Sequence, residues 1–230
     1  MKKPIPIGVE SYKKIVDKNY YYVDKTLFIK EILDGGAQAI LLTRPRRFGK
    51  TLALSMLQTF FEDERESSGD KIDNSAYFIG KKIFDCEKYR LKQGKYPVIH
   101  FTLKSAKQPN YEMAYNVLQK SISEEYGRHS YILRGSDLRP DERQRFKDII
   151  KGNADKDDYA TALAFLSRCL KKYHNSNVVI LIDEYDVPLE NAYFKGFYNQ
   201  IIDFVRSLLE SALKTNDALE FAVITGCLRI

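Results

Sequence analysis

The sequence has few cysteines and no long apolar run. Its cysteines, Cys86, Cys169 and Cys227, have neither metal-ligand nor disulfide spacing, which favours buried thiols in a reducing compartment over a secreted framework. No apolar run approaches the roughly 20 residues that a membrane span needs, and the basic start of the chain lacks the apolar stretch of a signal peptide. We therefore expect a cytoplasmic protein with no membrane partner.

Histidine is also scarce. The three histidines, His100, His129 and His174, share no spacing that would support a metal site or a Ser/His catalytic arrangement, so we assign them no chemistry. No internal repeat, low-complexity tract or Pro/Gly-rich linker marks a domain boundary. The 230 residues, 44% of them hydrophobic, suffice for one large domain or two small ones, each with a core.

The charge balance is basic but mixed. The formal net charge is +6, yet the 37 basic residues are interleaved with 31 acidic ones along the chain. Phosphate binding would use part of the positive charge, and the rest fits a solvated surface. Nucleic acid remains a candidate partner on net charge alone.

Apolar runs and helical patterns alternate along the chain. The runs at 39–43, 98–103, 178–182 and 221–225 are nearly continuous, as expected of strands buried on both faces of a sheet. Between them, apolar residues at three- and four-residue spacing predict helices. These helices are predicted at 51–63, 111–126, 157–170 with Asp157 as its N-cap, and 197–214. The alternation predicts an α/β fold with a mainly parallel central sheet.

Three stretches fit this alternation less well. Segments 20–30 and 77–92 combine strand-forming and helical features, and we predict mixed structure in both. The sequence ends directly after its last apolar run, without a helix or polar tail to cover that edge. We therefore expect the chain to be C-terminally truncated relative to a longer protein.

The first apolar run leads through a basic loop into a predicted helix, in the order of a phosphate-binding loop. Gly49 lets the backbone pass close to phosphate oxygens, and Lys50 can place its ammonium group on the β- and γ-phosphates. Thr51 can ligate magnesium at the helix start, where the helix dipole favours anions. A plain strand-to-helix turn with a surface lysine is the alternative. The candidate nucleotide-binding residues are Arg44, Pro45, Arg46, Arg47, Phe48, Gly49, Lys50, Thr51 and Leu52.

The loop departs from the motif at its first position. The motif has glycine where this chain has Arg44, followed by Pro45. Because arginine adopts a positive φ only at a cost, we expect the loop to turn differently. The arginines of the loop, Arg44, Arg46 and Arg47, can contact phosphates or a second nucleotide face, or they can pair with Asp183, Glu184, Asp186 or other acids nearby. Both alternatives stay open.

A second element supports the loop. The apolar run at 178–182 ends in Asp183 and Glu184, in the form of a Walker B strand. Asp183 can hold the hydration shell of magnesium, so Thr51 and Asp183 are the candidate metal residues. Glu184 can polarise the water that attacks the γ-phosphate, and we predict it to be catalytic together with Lys50. Solvated acids at a strand end are the alternative.

The last apolar run also ends in polar residues. Thr225 is our candidate for a group that senses the γ-phosphate, and Arg229 is a candidate electrostatic stabiliser. Either residue can instead be a simple strand terminus. Further upstream, the tyrosines at 20–22 can form an adenine-side wall or a packing strand, and core packing is favoured.

Six stretches together resemble the bacterial AAA-ATPase-like family of predicted ATP-binding proteins. They are Ile-Pro-Ile-Gly at 5–8, Tyr-Tyr-Val-Asp-Lys-Thr at 21–26, Arg-Pro-Arg-Arg-Phe-Gly-Lys-Thr at 44–51, Tyr-Pro-Val at 96–98, Leu-Ile-Asp-Glu-Tyr-Asp at 181–186 and Thr-Gly-Cys-Leu-Arg-Ile at 225–230. The resemblance spans nearly the whole chain. The segment Arg-Pro-Arg-Arg-Phe-Gly-Lys is typical of that family, so the missing first glycine looks like a family trait.

The resemblance implies a P-loop NTPase fold, a three-layer α/β/α sandwich of the additional-strand, catalytic-glutamate type. It implies that residues 1–36 are a family-specific segment packing on a core at 37–230, and that ATP and Mg²⁺ are the cofactors. Members commonly carry a C-terminal nuclease-like domain of the PD-(D/E)xK type, which would lie outside this chain. A homo-oligomer is a further candidate assembly.

Two functions follow as expectations. The leading one is a Mg²⁺-dependent ATPase module that regulates or drives an attached nuclease-like effector. The alternative is a regulatory module that binds nucleotide without hydrolysis, or one that binds nucleic acid.

Overall fold

Four parallel strands form one sheet across residues 2–228, which are the residues that the computed structural model describes. The strands are β1 (Ala39–Thr43), β2 (Val98–Thr102), β3 (Val178–Asp183) and β4 (Leu219–Gly226). Their order in the sheet is β1-β4-β3-β2, and every neighbouring pair is parallel. The α/β fold with a parallel sheet is therefore confirmed, and the predicted bounds agree with the structure to within two residues.

The apolar runs are continuous because the sheet is covered on both faces. In β3, Val178, Ile180 and Ile182 lie in one hydrophobic cluster, whereas Val179 and Leu181 lie in another. All five side chains are fully buried. Successive residues of a strand point to opposite faces, so a strand that is covered on both sides has no polar positions to alternate.

Helices cover both faces. They are α1 (Tyr12–Asp17), α2 (Leu27–Gly35), α3 (Lys50–Phe61), α4 (Glu87–Arg90), α5 (Tyr111–Arg128), α6 (Pro140–Lys151), α7 (Lys156–Ala160), α8 (Ala162–His174), α9 (Val187–Lys195) and α10 (Tyr198–Leu213). Short 3₁₀ helices occur at Ser75–Phe78, Lys82–Asp85, Lys104–Ala106 and Ser130–Arg134. Helices α1 to α3 contribute to one cluster, and α5 to α10 contribute to the other. The sheet thus lies between two helical layers.

One helix prediction was wrong in detail. The predicted helix at 157–170 is two helices, α7 and α8, separated at Thr161. Its N-cap is Asp155, whose side chain accepts a hydrogen bond from the backbone N–H of Asp158 at 2.8 Å. Asp157 instead lies in the first turn, and the Thr161 hydroxyl donates back to its carbonyl oxygen. Aspartate is a favourable N-cap at position 155 as well as at 157. The spacing of the apolar residues therefore did not locate the start of the helix.

Segments 20–30 and 77–92 have the mixed structure that we predicted. The first is extended up to the start of α2 at Leu27, and the second consists of two 3₁₀ helices and α4. Helices α6 and α9 were not predicted. Both begin with a proline in the first turn, Pro140 and Pro188, a common start signal that was overlooked.

The outer edge of β2 is capped by side chains of α5. The Glu125 carboxylate accepts a hydrogen bond of 2.8 Å from the backbone N–H of His100, and the Arg128 guanidinium donates to the carbonyl oxygen of Val98. Burial raises the pKa of Glu125, but Arg128 and His129 outweigh it and hold the pKa well below its ordinary value. Side chains of α5 thus occupy two backbone groups at the edge of β2, where the described part of the chain adds no further strand.

The N-terminal segment contacts the core at α3. The backbone N–H of Tyr12 donates to the Ser55 hydroxyl at 3.0 Å, and the Tyr12 hydroxyl donates to the carbonyl oxygen of Tyr77 at 3.1 Å. Tyr12 also shares one hydrophobic cluster with Phe60. The division of the chain at 36/37 stays a prediction.

Candidate functional site

The carboxyl ends of the four strands meet at one edge of the sheet. Thr43 of β1 lies opposite Gly226 of β4, and Thr102 of β2 lies opposite Asp183 of β3. In parallel α/β sheets, ligands bind at this edge because the loops and helix starts converge there. Among the described residues, the candidate site residues lie at the ends of β3 and β4 and in the loop and helix start that follow β1.

The loop after β1 turns at Arg47 and Gly49, not at Arg44. Arg47 has a φ of 69° and Gly49 a φ of 75°, whereas Arg44 has a negative φ. Gly49 is the N-cap of α3. The expected departure from the glycine-first motif is therefore seen in the backbone. The left-handed region is energetically unfavourable for a non-glycine residue, and in this loop Arg47 adopts it.

Lys50, the first residue of α3, folds back onto the loop. Its ammonium group donates to the carbonyl oxygens of Arg44 and Pro45 at 2.8 and 3.2 Å, and lies 3.4 Å from the Cys227 sulfur. The side chain is only 7% exposed. A cation surrounded by backbone oxygens at a helix N-terminus is placed where it can exchange those oxygens for those of an anion.

The remaining loop residues are exposed. Arg44 donates to the carbonyl oxygen of Thr43, and Arg46 forms an ion pair with Glu190 of α9 at 3.3 Å. Arg46 thus pairs with an acidic side chain, as one of the two alternatives proposed. The acid is Glu190 of α9, which follows β3 in the chain. Phe48 is 63% exposed, and Leu52 is half-buried on the first turn of α3.

Two threonine hydroxyls converge on the Asp183 carboxylate. Thr51 donates to one carboxylate oxygen at 2.7 Å, and Thr225 donates to the other. Asp183 and Thr225 are buried. The hydroxyls come from α3 and β4, so this carboxylate joins the loop helix to both strand ends. The three residues form a cluster of oxygen ligands, and one of them, Thr51, directly follows Lys50 in the sequence.

Glu184 follows Asp183 in a strained conformation. Its φ is 52°, and its backbone N–H donates to the Thr225 hydroxyl at 3.5 Å. Burial and the adjacent Asp183 charge raise the pKa of this carboxyl group, against the lowering effect of Lys104 and Lys50. A raised carboxyl pKa and a left-handed non-glycine backbone are both perturbations that occur more often at functional sites than elsewhere.

The sequence analysis did not predict the hydrogen bonds that hold the turn after β4. The buried Asp186 accepts hydrogen bonds from the backbone N–H groups of Cys227 and Leu228 at 2.7 and 2.8 Å. The Tyr185 hydroxyl donates to the carbonyl oxygen of Leu228 at 2.9 Å. A Cβ on Gly226 would lie 2.6 Å from the Tyr185 ring. The one available signal was an acid three residues after Asp183, which we treated only as a partner for arginine.

Other sequence predictions have mixed outcomes. Arg229 lies outside the described residues. Within residues 2–228, no group of three or more His, Cys, Asp or Glu side chains is arranged to hold a metal ion. In the same part of the chain, no helix combines the length and apolar character needed to cross a membrane.

Comparison with known proteins gives one family and one relative. The AAA-ATPase-like family model, described as "Predicted AAA-ATPase", matches residues 6–230. The protein named "Uncharacterized protein in vnfD 5'region" from Azotobacter chroococcum mcd 1 is 28% identical over 228 residues. The match covers 98% of this chain and 37% of that protein, so the chain spans little more than a third of its relative. No solved structure gives a significant match.

Proposed function

The chain belongs to the AAA-ATPase-like family of predicted AAA-ATPases, and we propose that it binds ATP with Mg²⁺ at the carboxyl edge of its sheet and hydrolyses it. The observation that carries the proposal is the convergence of Thr51 and Thr225 on Asp183, directly beside Lys50. Phosphate-binding loops need a lysine, a helix start and a hydroxyl–carboxylate pair in one place.

The strand order supports the finer fold assignment. Strand β4 lies between β1, which carries the loop, and β3, which ends in the two acids. An inserted strand at this position is typical of the additional-strand type of P-loop fold, and we propose Glu184 as the catalytic glutamate. We propose that type for this chain.

The residues at the edge fit a magnesium ion that arrives with the triphosphate. The Thr51 hydroxyl and the Asp183 carboxylate are hard oxygen donors 2.7 Å apart. Mg²⁺ is commonly bound through one or two carboxylates plus phosphates and water, without a larger cage of protein ligands. When bound, the ion would neutralise charge on the β- and γ-phosphates.

The other residues then have separate tasks. Lys50 exchanges the carbonyl oxygens of Arg44 and Pro45 for phosphate oxygens, aided by the N–H groups of the α3 start. Glu184 orients and deprotonates the attacking water, for which its raised pKa suits it better than an ordinary carboxyl group. Thr225, which donates to the Asp183 carboxylate, is proposed to sense the γ-phosphate. Arg229 is proposed as an electrostatic stabiliser.

The role of the whole protein goes further than this chain. The curated relative is much longer than the stretch it shares with the chain. We propose that ATP turnover here regulates or drives an attached effector, with a nuclease-like domain as the candidate. Homo-oligomers and nucleic acid are candidate partners of the same assembly.

The test is a calorimetric titration of MgATP, with phosphate release measured in the same samples. Lys50→Ala should abolish binding, whereas Lys95→Ala, an exposed lysine just before β2, should bind like the parent. Glu184→Gln should bind MgATP but release phosphate at least about tenfold more slowly. Equal binding by the parent and Lys50→Ala would contradict the proposal. Binding without turnover in the parent would favour the regulatory alternative.

A further inference from the structure

A cavity of about 740 Å³ opens beside the phosphate loop. Leu52 and Met56 of α3 line part of it, and Tyr21, Val23 and Leu27 of the N-terminal segment line another part, here called the N-terminal wall. Gly49 and Lys50 also line it, so the cavity is continuous with the loop. Its size lies within the range of roughly 300–1,000 Å³ that is typical of small-molecule sites.

The N-terminal wall is held in place by Asp24. One of its carboxylate oxygens accepts from the N–H and hydroxyl groups of Thr26 at 2.9 and 2.7 Å, and the other accepts from the N–H of Lys82 at 2.9 Å. These bonds tie the extended segment to the start of α2 and to the core. Asp24 is therefore occupied as an anchor, and the wall is built in advance of any ligand.

Apolar side chains face solvent around this cavity. Tyr21 is 58% exposed and Val23 59% exposed, and Phe48 of the loop, which is 63% exposed, lines the same cavity. Tyr22 also lines it but is half-buried, and its hydroxyl donates to the Met56 sulfur at 3.7 Å. Exposed apolar and aromatic groups around a concave wall mark a ligand groove, and flat aromatic rings suit a flat ligand.

The cavity is also lined by a carboxylate that can accept a hydrogen bond from a ligand. Glu31 of α2 lines it, and its side chain has no hydrogen-bond or ion-pair partner among residues 2–228. A carboxylate only accepts hydrogen bonds, so it selects a ligand that presents an N–H donor. The exocyclic amino group of a purine base has that chemistry.

Residues of the turn after β4 and of α9 contact the other side of the loop. There Lys50 contacts Cys227, and Arg46 pairs with Glu190 of α9. A nucleoside joined to phosphates in the loop therefore has room on the side of the N-terminal segment.

We propose that this cavity is the nucleoside subsite, in which Tyr21 and Phe48 contact a purine ring and Glu31 accepts a hydrogen bond from the 6-amino group of adenine. The inference rests on the proposed function, because it assumes that the phosphates occupy the loop. It adds that residues 21–31 of the N-terminal segment determine which base is bound.

The chain contains no tryptophan, so a single introduced one reports on one place. In Tyr21→Trp, MgATP should change the tryptophan emission saturably, whereas Mg-tripolyphosphate, which has no base, should leave it unchanged. Leu91→Trp is the matched control, because Leu91 is similarly exposed at 65% but lies at the other end of the sheet, outside the cavity. Its emission should respond to neither compound.

Affinities then separate the base from the phosphates. Stacking on an aromatic side chain contributes about 1–3 kcal/mol per base, so Mg-tripolyphosphate should bind the parent at least about fivefold more weakly than MgATP. Glu31→Ala should remove the preference of the parent for ATP over ITP, whose base lacks the 6-amino group. Glu112→Ala, an exposed glutamate on α5, should keep that preference.

The outcomes distinguish the two proposals. If tripolyphosphate binds as tightly as ATP, and both leave Tyr21→Trp unchanged, the subsite is wrong while the phosphate site stands. The subsite is also wrong if Glu31→Ala discriminates ATP from ITP as the parent does. If the parent binds neither ATP nor tripolyphosphate, the proposed function and the subsite are both wrong.

Discussion

The Thr51 hydroxyl donates a 2.7 Å hydrogen bond to the carboxylate of Asp183, 132 residues further along the chain. This bond joins the start of α3 to the end of β3, so the loop and the acidic strand end form one unit. The second carboxylate oxygen accepts from Thr225, which extends the unit to β4.

Thr51→Val removes this donor while keeping the shape of the side chain. A hydrogen bond to a charged group contributes about 1.5–3 kcal/mol, so we expect a loss of free energy of unfolding in that range. A double-mutant cycle with Asp183→Asn should show coupling of the same order, measured by urea denaturation. The variant should also lose the Mg²⁺ dependence of ATP binding. Additive effects would show that the bond does not join the two elements energetically.

Glu184→Gln should alter stability in a pH-dependent way. Burial and Asp183 raise the pKa of Glu184, so its ionised form destabilises the folded state above that pKa. Below the ordinary glutamate value of about 4.3, both states are protonated and no penalty remains. Glu184→Gln should therefore have a higher free energy of unfolding than the parent at pH 7. The gain should disappear below about pH 4.

Glu142→Gln is a control with the opposite sign. Burial raises the pKa of Glu142, but its bonds to Lys172 and the Arg139 N–H outweigh burial and lower it. Its ionisation thus stabilises the folded state above its ordinary pKa, and that contribution is lost as the pH falls through the folded pKa. This variant should be less stable than the parent at pH 7 and match it in acid. If both substitutions changed the free energy of unfolding at pH 7 in the same direction, the opposite pKa shifts of Glu184 and Glu142 would be contradicted.

The elements that local chemistry specifies could be predicted from sequence. The buried strands were visible because their apolar runs are continuous, and the loop was visible because Gly49, Lys50 and Thr51 stand in a fixed order. The positions of Asp183 and Thr225 followed because parallel strands end at one edge. The hydrogen bond from Thr225 to Asp183 was not predicted, because it depends on a strand order that places β4 beside β3.

Other features depend on contacts that the sequence does not display. The positive φ of Arg47 reflects how the whole loop spans β1 and α3, and no local preference of arginine indicates it. The role of Asp186 depends on the turn after β4, 41 residues away. The cavity beside Tyr21 depends on how the N-terminal segment packs against α3, which the run of tyrosines does not indicate.

Gly226→Ala should be costly because the site has no room for a side chain. Its Cβ would lie 2.6 and 2.8 Å from atoms of the Tyr185 ring and 3.0 Å from the Asp186 carboxylate. We expect a loss of about 1–3 kcal/mol in denaturant unfolding, together with weaker nucleotide binding. Gly127→Ala is the control, since nothing lies within 4 Å of its Cβ in α5, and it should stabilise by about 0.5–1 kcal/mol. Equal effects would rule out steric crowding as the cause.

Asp186→Ala should loosen the turn after β4 without unfolding the sheet. The carboxylate accepts from the N–H groups of Cys227 and Leu228, and its loss leaves both donors to water. We expect a cost of about 1–3 kcal/mol and faster amide hydrogen exchange at these two residues than in the parent. Asp203→Ala, an exposed acid with a 3.5 Å ion pair to Arg206, should change stability by less than about 0.5 kcal/mol. If amide exchange at Cys227 and Leu228 stayed slow in Asp186→Ala, the Asp186 carboxylate would not be what holds the turn after β4. The contact between Cys227 and Lys50 would then be the alternative.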